Sequence, residues 1–387
     1  MTPDTDHLID VPAGLKGVAV TDTTVGDVRG REGFYHYRQY SALDLAATRP
    51  LEHVWELLLD GQLPATGSDA EDFAAETVAG RHLPPEVERA LPDIARASKG
   101  TPLDALRSAL SIYGSARGYQ PLWDLDGERR RADLLDLVAV APVLAAGLYR
   151  LSRGLAPVPS DPALGHAANY LHMLTGVAPG EEAARALEQY LILTVDHGFN
   201  ASTFTARVIA STGADAAAAV VGALGALSGP LHGGAPSRAL DTLDAIGTAE
   251  GAEPYVRALL RRGQRVMGFG HAVYRTFDPR AVMMREVAVR IGAPLAELAV
   301  EVEATILKVL AEDRPEAPIY TNVEYYAGVV MDACGLPREM FSTTFALSRL
   351  IGWSANVAEQ AEQRRLIRPS AHYVGQPAPA PVPALTE

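Results

Sequence analysis

Residues 180–228 read GEEAARALEQYLILTVDHGFNASTFTARVIASTGADAAAAVVGALGALS and form the most apolar stretch of helical spacing in the chain. Alanine and glycine dominate its second half, Ala214 to Ala226, so neighbouring helices can approach closely there, within one chain or across a dimer interface. The apolar residues of 51–58 also recur at helical spacing, and Gly61 ends that helix. We therefore predict an all-α protein from about Ser41 onward.

Residues 14–40 differ from the rest of the chain. Valines stand among Thr and Gly, Gly30 to Gly33 predicts a turn, and aromatic residues follow. This pattern predicts a small antiparallel ribbon at the start of the fold. The other predicted elements are helices that start near Pro85, Pro102 and Ala132, helices over 325–333 and 338–363, and a disordered Pro- and Ala-rich tail over 376–387.

Composition excludes several classes of protein. The 387 residues carry 34 Lys and Arg against 47 Asp and Glu, a net charge of −13, whereas a sequence-independent nucleic-acid binder needs a basic face. We find no uninterrupted apolar run long enough to cross a bilayer. Cys334 is the only cysteine, which excludes an intrachain disulfide and a cysteine-based zinc site. The acidic N-terminus is unlike a targeting peptide, so we expect a cytoplasmic protein that binds neither membrane nor nucleic acid.

Three of the ten histidines lie in short glycine-containing segments that can form bends, and glycine lets a backbone approach a ligand closely. They are His197 in DHG, His232 in LHGG and His271 in GFGH. For any one of them alone, a structural histidine is the simpler interpretation, but the three together favour a shared site. No local His-x-x-x-His pair supports a metal, and no Gly-x-Ser-x-Gly elbow supports a hydrolase, so we expect no metal.

Two of these histidines have informative surroundings. His232 lies where one helix ends and another begins, and a helix N-terminus disfavours the charged imidazole, so the neutral ring can donate a hydrogen bond to a carbonyl. His271 belongs to GFGHAVYRTFDPRA, residues 268–281, which adds Arg275 and Arg280. That loop could bind phosphate, but it lacks the Gly-Lys-Ser/Thr ending of a P-loop and the spacing of a dinucleotide fingerprint.

For each of three further charged residues, the sequence permits both a structural and a functional interpretation. Glu324 opens a predicted helix in TNVEYY, where a carboxylate is favoured by the helix dipole alone. Arg349 and Arg368 are flanked by apolar residues, and an arginine there is expensive to bury without an anion. A salt bridge to a protein carboxylate is the simplest interpretation of each arginine.

The order of the segments DHGFNAST, GPLHGGA, GFGHAVYRTFDPRA, TNVEYY, SRLIGW and RPSAHYVG resembles the citrate synthase family. The ribbon and LLLDGQLP, residues 57–64, agree, so the resemblance covers about residues 14–375. It implies a two-domain, all-helical homodimer with a small N-terminal β ribbon. With the glycine-rich breaks as boundaries, we predict a large domain of 1–231 and 331–375 and a small domain of 232–330.

The resemblance implies condensation of acetyl-CoA with oxaloacetate through an enolate, giving citrate and CoA, with no tightly bound cofactor and a coenzyme A thioester as co-substrate. By matching position, His232 corresponds to the donor to the thioester carbonyl, His271 to the group acting on the oxaloacetate carbonyl, and Glu324 to the base. The oxaloacetate and acyl contacts would be His197, Asn200, Arg280, Phe345, Arg349 and Arg368, the last from the partner subunit. The CoA contacts would be Met267, Gly268, Phe269, Gly270 and Arg275.

Two positions depart from the family pattern. The usual base is Asp, and Glu324 is one methylene longer; misplacement by about 1 Å can cost on the order of 100-fold in rate. Gln39 replaces a glycine of the ribbon, which concerns a turn. Two alternatives therefore stay open: a 2-methylcitrate synthase that uses propionyl-CoA, and a weakly catalytic protein that senses CoA thioesters or dicarboxylates.

Overall fold

The computed structural model describes residues 8–230, 232 and 236–383, with side chains from Ala239 onward after the second gap. Helices dominate this part of the chain and pack around one continuous apolar core, as the helical spacing predicts. In chain order the helices are α1 (Ala42–Thr48), α2 (Leu51–Asp60), α3 (Gly67–Ala79), α4 (Pro85–Ala97), α5 (Pro102–Arg117), α6 (Gly127–Ser152), α7 (His166–Thr175), α8 (Glu181–Thr194), α9 (Ala201–Ala210), α10 (Ala216–Leu227), α11 (Pro236–Ile246), α12 (Ala252–Arg261), α13 (Pro279–Arg290), α14 (Ala296–Asp313), α15 (Val323–Ala333) and α16 (Phe341–Gln363).

The predicted ribbon is present but shorter than expected. Its three antiparallel strands are β1 (Gly26–Arg29), β2 (Phe34–Tyr37) and β3 (Tyr40–Ser41), in that order. Residues 16–25 are not in strands, because this segment binds the C-terminal helix instead: the amide of Thr24 donates to Glu359 Oε1 at 2.6 Å. The ribbon thus joins the start of the chain to α16.

Helix boundaries follow local chemistry. Gly61 ends α2 in the left-handed region at φ 87°, and α4 and α5 start at Pro85 and Pro102, as predicted. Helix α6 begins at Gly127, earlier than the expected Ala132, because the side chain of Asp126 accepts the amide of Arg129 and caps the helix.

Helix α6 is long and apolar enough to cross a membrane by length and composition alone. Within its most apolar window, 72% is buried inside the protein, which is typical of a core helix. Asp133 and Asp136 interrupt its apolar pattern, so this helix agrees with the expectation that no uninterrupted apolar run is long enough to cross a bilayer.

The apolar block of 180–228 forms α8, α9 and α10, and its small residues do allow close helix contact. A Cβ placed on Gly222 of α10 would lie 2.1 Å from Ile209 Cδ1 of α9. Helix α10 also packs on α5, where a Cβ on Gly114 would lie 2.3 Å from Ala217 Cβ. This part of the fold depends on residues without side chains.

Helix α16 crosses the core and brings its own residues against the end of α8. A Cβ on Gly352 would lie only 2.0 Å from the carbonyl oxygen of Val195, so only glycine permits this contact. The segment after α8, which carries His197, is thereby held against α16. The described part of the C-terminal tail, residues 376–383, is exposed and contains no helix or strand. The division into domains stays a prediction.

We expect Gly352→Ala to lower the free energy of unfolding by at least about 2 kcal/mol, because the backbone of Val195 must move away from α16. Gly147→Ala is the matched control: it is also buried within a helix, but its new Cβ would meet Leu91 Cδ1 at an ordinary 3.7 Å. Denaturant titrations should show the control within about 1 kcal/mol of wild type. Equal effects of the two substitutions would contradict the proposed close contact.

Candidate active site

A cavity of about 820 Å³ lies between the ribbon and helices α8, α13, α15 and α16. It brings together most of the site residues expected from the sequence, although they are spread over more than 150 positions of the chain. Those that line it are His197, Asn200, His232, Met267, Gly268, Phe269, Gly270, His271, Arg280, Glu324, Phe345 and Arg349. Arg275 and Arg368 lie elsewhere.

His271 has a defined tautomer. Its Nδ1 accepts hydrogen bonds from the amides of Val273 at 3.0 Å and Tyr274 at 3.1 Å, so in the neutral ring Nε2 carries the proton. Burial, reinforced by the charge of Arg280, lowers the pKa of His271 to about 4. A neutral donor therefore faces the cavity at neutral pH. Arg280 Nη2 lies 3.2 Å from Nε2, and two donors this close call for an acceptor oxygen between them.

Arg280 is fixed by Asp278. The carboxylate of Asp278 accepts Nε at 2.9 Å and Nη2 at 2.8 Å of Arg280, and both side chains are buried. The same carboxylate accepts the amide of Arg280 at the start of α13 and the amide of Val323 at the start of α15. One buried carboxylate thus joins the arginine to the helix that carries Glu324.

Arg349 is buried without an ion pair. Its Nε donates to the carbonyl of Thr194 at 3.0 Å, and its guanidinium lies 4.8 Å from the ring centre of Phe345. In the described part of the chain no carboxylate lies within 4 Å of it, so the simple salt-bridge interpretation was wrong for this residue. Burial lowers the pKa of Arg349, and the nearby charge of Asp196 opposes that effect. A buried cation in this state favours an incoming anion.

His197 follows α8 and is enclosed by aromatic rings. Its Nε2 lies 3.0 Å from the hydroxyl of Tyr274, and the ring of Tyr35 packs edge-on at 5.5 Å. The hydroxyl of Tyr35 donates to the carbonyl of Leu193 at 3.0 Å, which fixes β2 to the end of α8. Burial, followed by the charge of Arg280, holds the pKa of His197 well below its usual range, so this ring is neutral.

His232 is held by the N-terminus of α9. Its Nε2 accepts the amide of Ser202 at 3.3 Å, which assigns the proton of the neutral ring to Nδ1, and the hydroxyl of Ser202 lies 2.8 Å away. Burial, together with the charge of Arg349, lowers the pKa of His232 to about 4. Asn200 lines the cavity, but its side chain caps α9, since Oδ1 accepts the amides of Ser202 and Thr203. Asn200 therefore supports His232.

Glu324 occupies the first turn of α15, after Asn322 caps the helix. Its carboxylate faces the cavity and makes no hydrogen bond with any described residue. Burial raises the pKa of Glu324 to about 7, although the positive charge of Arg280 opposes this effect. A carboxylate with this pKa can take up a proton near neutral pH.

The loop Met267–Gly270 is fixed against the segment before α15. The amide of Gly270 donates to the carbonyl of Tyr320 at 2.8 Å, and Asn322 Nδ2 donates to the carbonyl of Gly270 at 2.9 Å. Gly268 has φ 84°, and a Cβ there would lie 3.0 Å from Tyr325 Cβ. The loop and the helix of Glu324 therefore form one rigid wall of the cavity.

The two remaining predicted residues lie outside this cavity. Arg275 lines a second cavity of about 410 Å³ on the other side of the 270–278 loop, together with Arg314. Arg368 is exposed after α16 and contacts neither cavity, and its expected salt bridge is absent from the ion pairs of the described residues. No group of three or more His, Cys, Asp and Glu side chains suited to a metal occurs in residues 8–230, 232 and 239–383.

Comparison with known proteins assigns the chain to a family. The family model described as "Citrate synthase, C-terminal domain" matches residues 14–370. This chain belongs to the citrate synthase family. It is therefore a citrate synthase-type enzyme, as the six ordered segments predicted.

Relatives and a solved structure within the citrate synthase family are similar over nearly their whole length. The "Putative citrate synthase 2" of Mycobacterium bovis is 40% identical, over 94% of this chain and 92% of its own. The 2-methylcitrate synthase of Mycobacterium tuberculosis is 36% identical, over 96% and 93%. The citrate synthase of Thermoplasma acidophilum, solved with carboxymethyl coenzyme A and oxaloacetate, has a TM-score of 0.87 at 29% identity, over 97% and 98%. The prediction of an all-helical fold with a small N-terminal β ribbon is confirmed.

Sequence reasoning missed the residues that hold the site together. Asp278 lies in the segment GFGHAVYRTFDPRA, but the hydrogen bond that it accepts from the amide of Val323 in α15 joins positions 45 residues apart. No residue adjacent to Tyr274 in the sequence indicates that its hydroxyl lies beside His197. Ser202 lies within DHGFNAST, and its place two residues after the Asn200 cap was the available signal.

We expect Asp278→Asn to destabilise the protein by about 3–5 kcal/mol and to abolish oxaloacetate binding, because it leaves the buried Arg280 without its counter-charge. Asp244→Asn is the control: Asp244 pairs with Arg338 at the surface, where an ion pair contributes about 1 kcal/mol at most. Denaturation and calorimetric titration measure the two effects. Similar losses from both substitutions would refute the central role of Asp278.

Proposed function

We propose that the chain condenses acetyl-CoA with oxaloacetate and hydrolyses the product to citrate and CoA, with Glu324 as the base. The observation that carries this proposal is the carboxylate of Glu324: it is largely buried, has no hydrogen-bond partner among the described residues, and faces two neutral histidines and two arginines across one cavity. A base that removes a proton next to a thioester must lie within about 3 Å of the methyl group. The cavity provides room for that approach.

The first step moves a proton from the methyl carbon of the thioester to Glu324. The C–H electron pair passes into an enolate, whose oxygen needs a hydrogen-bond donor. His232 is suited to this task, since its neutral ring carries the proton on Nδ1 while Ser202 occupies Nε2. Its low pKa keeps it from protonating the enolate outright.

In the second step the enolate carbon forms a bond with the keto carbon of oxaloacetate, and the keto oxygen takes up negative charge. His271 Nε2 and Arg280 Nη2 converge on one point and can stabilise that oxygen together. Arg349 has two unused guanidinium nitrogens to bind a carboxylate of the dianion. The alkoxide takes up a proton to become the hydroxyl of citrate, which balances the proton that Glu324 accepted and releases again. Water then cleaves the thioester: its oxygen enters the new carboxyl group, CoA leaves as the thiol, and this hydrolysis makes the overall reaction favourable.

Coenzyme A would be bound at the loop Met267–Gly270, whose backbone can contact adenine, with Arg275 available for phosphate. The second cavity adjoins this loop and exposes Arg275 and Arg314, which supports the assignment of phosphate binding there. No tightly bound cofactor is required by these steps. The location of the protein in the cytoplasm stays a prediction.

We propose a homodimer in which Arg368 of one protomer completes the site of the other. Two points support this proposal. The substrate is a dianion, which favours a further cation in the site, and Arg368 is exposed and lies outside the cavity of its own chain. Helix α10 supports the same proposal, because it presents half-exposed Ala and Val side chains that a partner can cover. Sedimentation analysis measures the mass, and mixing Arg368→Ala with an inactive Glu324→Gln protomer tests sharing of the site by recovery of activity.

The acyl substrate distinguishes the two enzymatic alternatives. The 36% identity to a 2-methylcitrate synthase supports testing propionyl-CoA beside acetyl-CoA, since one methylene in an apolar pocket changes specificity by only about 1–3 kcal/mol. A CoA-release assay with oxaloacetate and each thioester decides between them. Release from neither would favour the sensor.

We expect Glu324→Gln to lower kcat by about 10²- to 10⁴-fold and to leave oxaloacetate affinity within a few-fold, because the amide cannot accept the proton. Glu301→Gln, on the exposed face of α14, is the control and should keep full activity. Since burial raises the pKa of Glu324 to about 7, wild-type activity should fall as the pH drops below 7 and the base becomes protonated. Full activity in Glu324→Gln would exclude Glu324 as the base.

We expect Arg349→Met to be at least as stable as wild type without ligand, because it removes a buried cation that has no carboxylate partner. Oxaloacetate at about 100 times its wild-type Kd should stabilise wild type by about 2.7 kcal/mol and should not stabilise the variant. Arg280→Met is the contrasting variant, since it leaves Asp278 buried and unpaired and should unfold more easily. Melting curves with and without oxaloacetate measure these differences. Strong destabilisation by Arg349→Met would make Arg349 a structural residue.

A further inference from the structure

Tyr190 is a buried residue that lines the main cavity and whose hydroxyl has no partner among the described residues. It lies on α8, is only 1% exposed, and its ring lines the main cavity. The hydroxyl makes no hydrogen bond with any residue that the structure describes. Other buried tyrosines near the site are satisfied: Tyr35 by Leu193, Tyr274 by His197 and Tyr325 by Ala299. Because buried polar groups are normally paired, the partner of Tyr190 is expected to come from the cavity.

Tyr190 lies near the arginine that would bind oxaloacetate as well as near the base. Arg349 Nε donates to the carbonyl of Thr194, which lies one helical turn after Tyr190 on α8. The charges of Glu324 and Arg349 both act on the Tyr190 hydroxyl, and that of Glu324 is the larger. The test must therefore distinguish a contact with the base from a contact with the substrate.

Glu324 offers the complementary group. Helix α15 packs against α8, and Tyr190 and Glu324 both line the cavity between them. The carboxylate of Glu324, like the hydroxyl of Tyr190, has no partner in the described part of the chain. Burial raises the pKa of Tyr190, and the charge of Glu324 is the largest electrostatic cause that adds to it. The phenol is thus a protonated donor beside an acceptor.

We propose that Tyr190 is a positioning residue for the base, and that its hydroxyl donates a hydrogen bond to the carboxylate of Glu324 when substrates occupy the cavity. This inference rests on the proposed function of Glu324. The additional methylene of Glu324, relative to Asp, lengthens the arm that reaches the hydroxyl. Tyr190 would thereby compensate for the longer base.

Other charged groups around α15 also influence Glu324, and the test must separate them from Tyr190. Arg280 and Asp278 stand at the start of α13, and the remaining groups lie on the loop, α8, α16 and α14. The groups that face Glu324 or its helix are Tyr190, His232, His271, Asp278, Arg280, Glu303 and Arg349, while Asp241 and Asp244 of α11 are exposed.

The test compares Tyr190→Phe with Tyr170→Phe. Tyr170 is an equally buried tyrosine whose hydroxyl pairs with Thr344 Oγ1 at 2.9 Å, outside the cavity. Tyr190→Phe should lower kcat at pH 7 by about tenfold and keep the KM for oxaloacetate within about twofold. A carboxylate that loses a donor has a higher pKa, so the acidic limb of the kcat profile should move upward by about half a pH unit or more. Tyr170→Phe should leave that limb in place.

A second comparison, made in the Glu324→Asp variant, tests whether the effect of Tyr190 depends on the longer side chain of Glu324. In Glu324→Asp the arm is shorter, so adding Tyr190→Phe should change kcat by less than about twofold. An unmoved acidic limb in Tyr190→Phe, with or without a lower kcat, would overturn the inference. A tenfold rise in the KM for oxaloacetate at unchanged kcat would also overturn it, by making the hydroxyl a substrate contact. If Glu324→Gln keeps the wild-type rate, the proposed function fails instead, whatever Tyr190→Phe does.

Discussion

The carboxylate of Asp278 is the constraint on which the site depends. It binds the guanidinium of Arg280 through two hydrogen bonds, caps α13, and accepts the amide that opens α15. One buried carboxylate therefore positions the first turns of two helices and the side chain of one arginine. Because a buried charge that loses its partner is costly, this arrangement is also rigid. His271 and Glu324 take their positions from the segments that it joins.

The remaining groups of the cavity differ in charge. His197, His232 and His271 are neutral because burial and nearby arginines lower the pKa of each. Arg349 has no ion pair with any described residue: its Nε donates to a backbone carbonyl, and its guanidinium lies beside the ring of Phe345. The proposed binding of a dianion would provide Arg349 with the ion-pair partner that the described residues do not supply.

The ribbon shows why a mainly helical protein contains three short strands. Tyr35 contacts the ring of His197, lies 6.0 Å from the guanidinium of Arg280, and bonds the end of α8. The turn between β1 and β2 binds the loop that follows His271, since the carbonyl of Gly30 accepts the amide of Arg275. A Cβ on Gly30 would lie 2.4 Å from the carbonyl oxygen of Val273. The ribbon therefore fixes the loop against α8.

The sequence by itself determined the helical class, the ribbon, the helix ends at Pro85, Pro102 and Gly61, and the set of histidines beside glycine. These features are local: spacing, caps and left-handed turns depend on neighbours within a few residues. Tertiary structure alone decided which charges are paired. Arg280 has Asp278 two residues away, whereas Arg349 has no carboxylate within 4 Å in the described chain. The sequence alone does not distinguish these two arginines. Ser202 pairs with His232 and Tyr274 pairs with His197, and because each pair joins distant parts of the chain, only the packing of the helices brings the partners together.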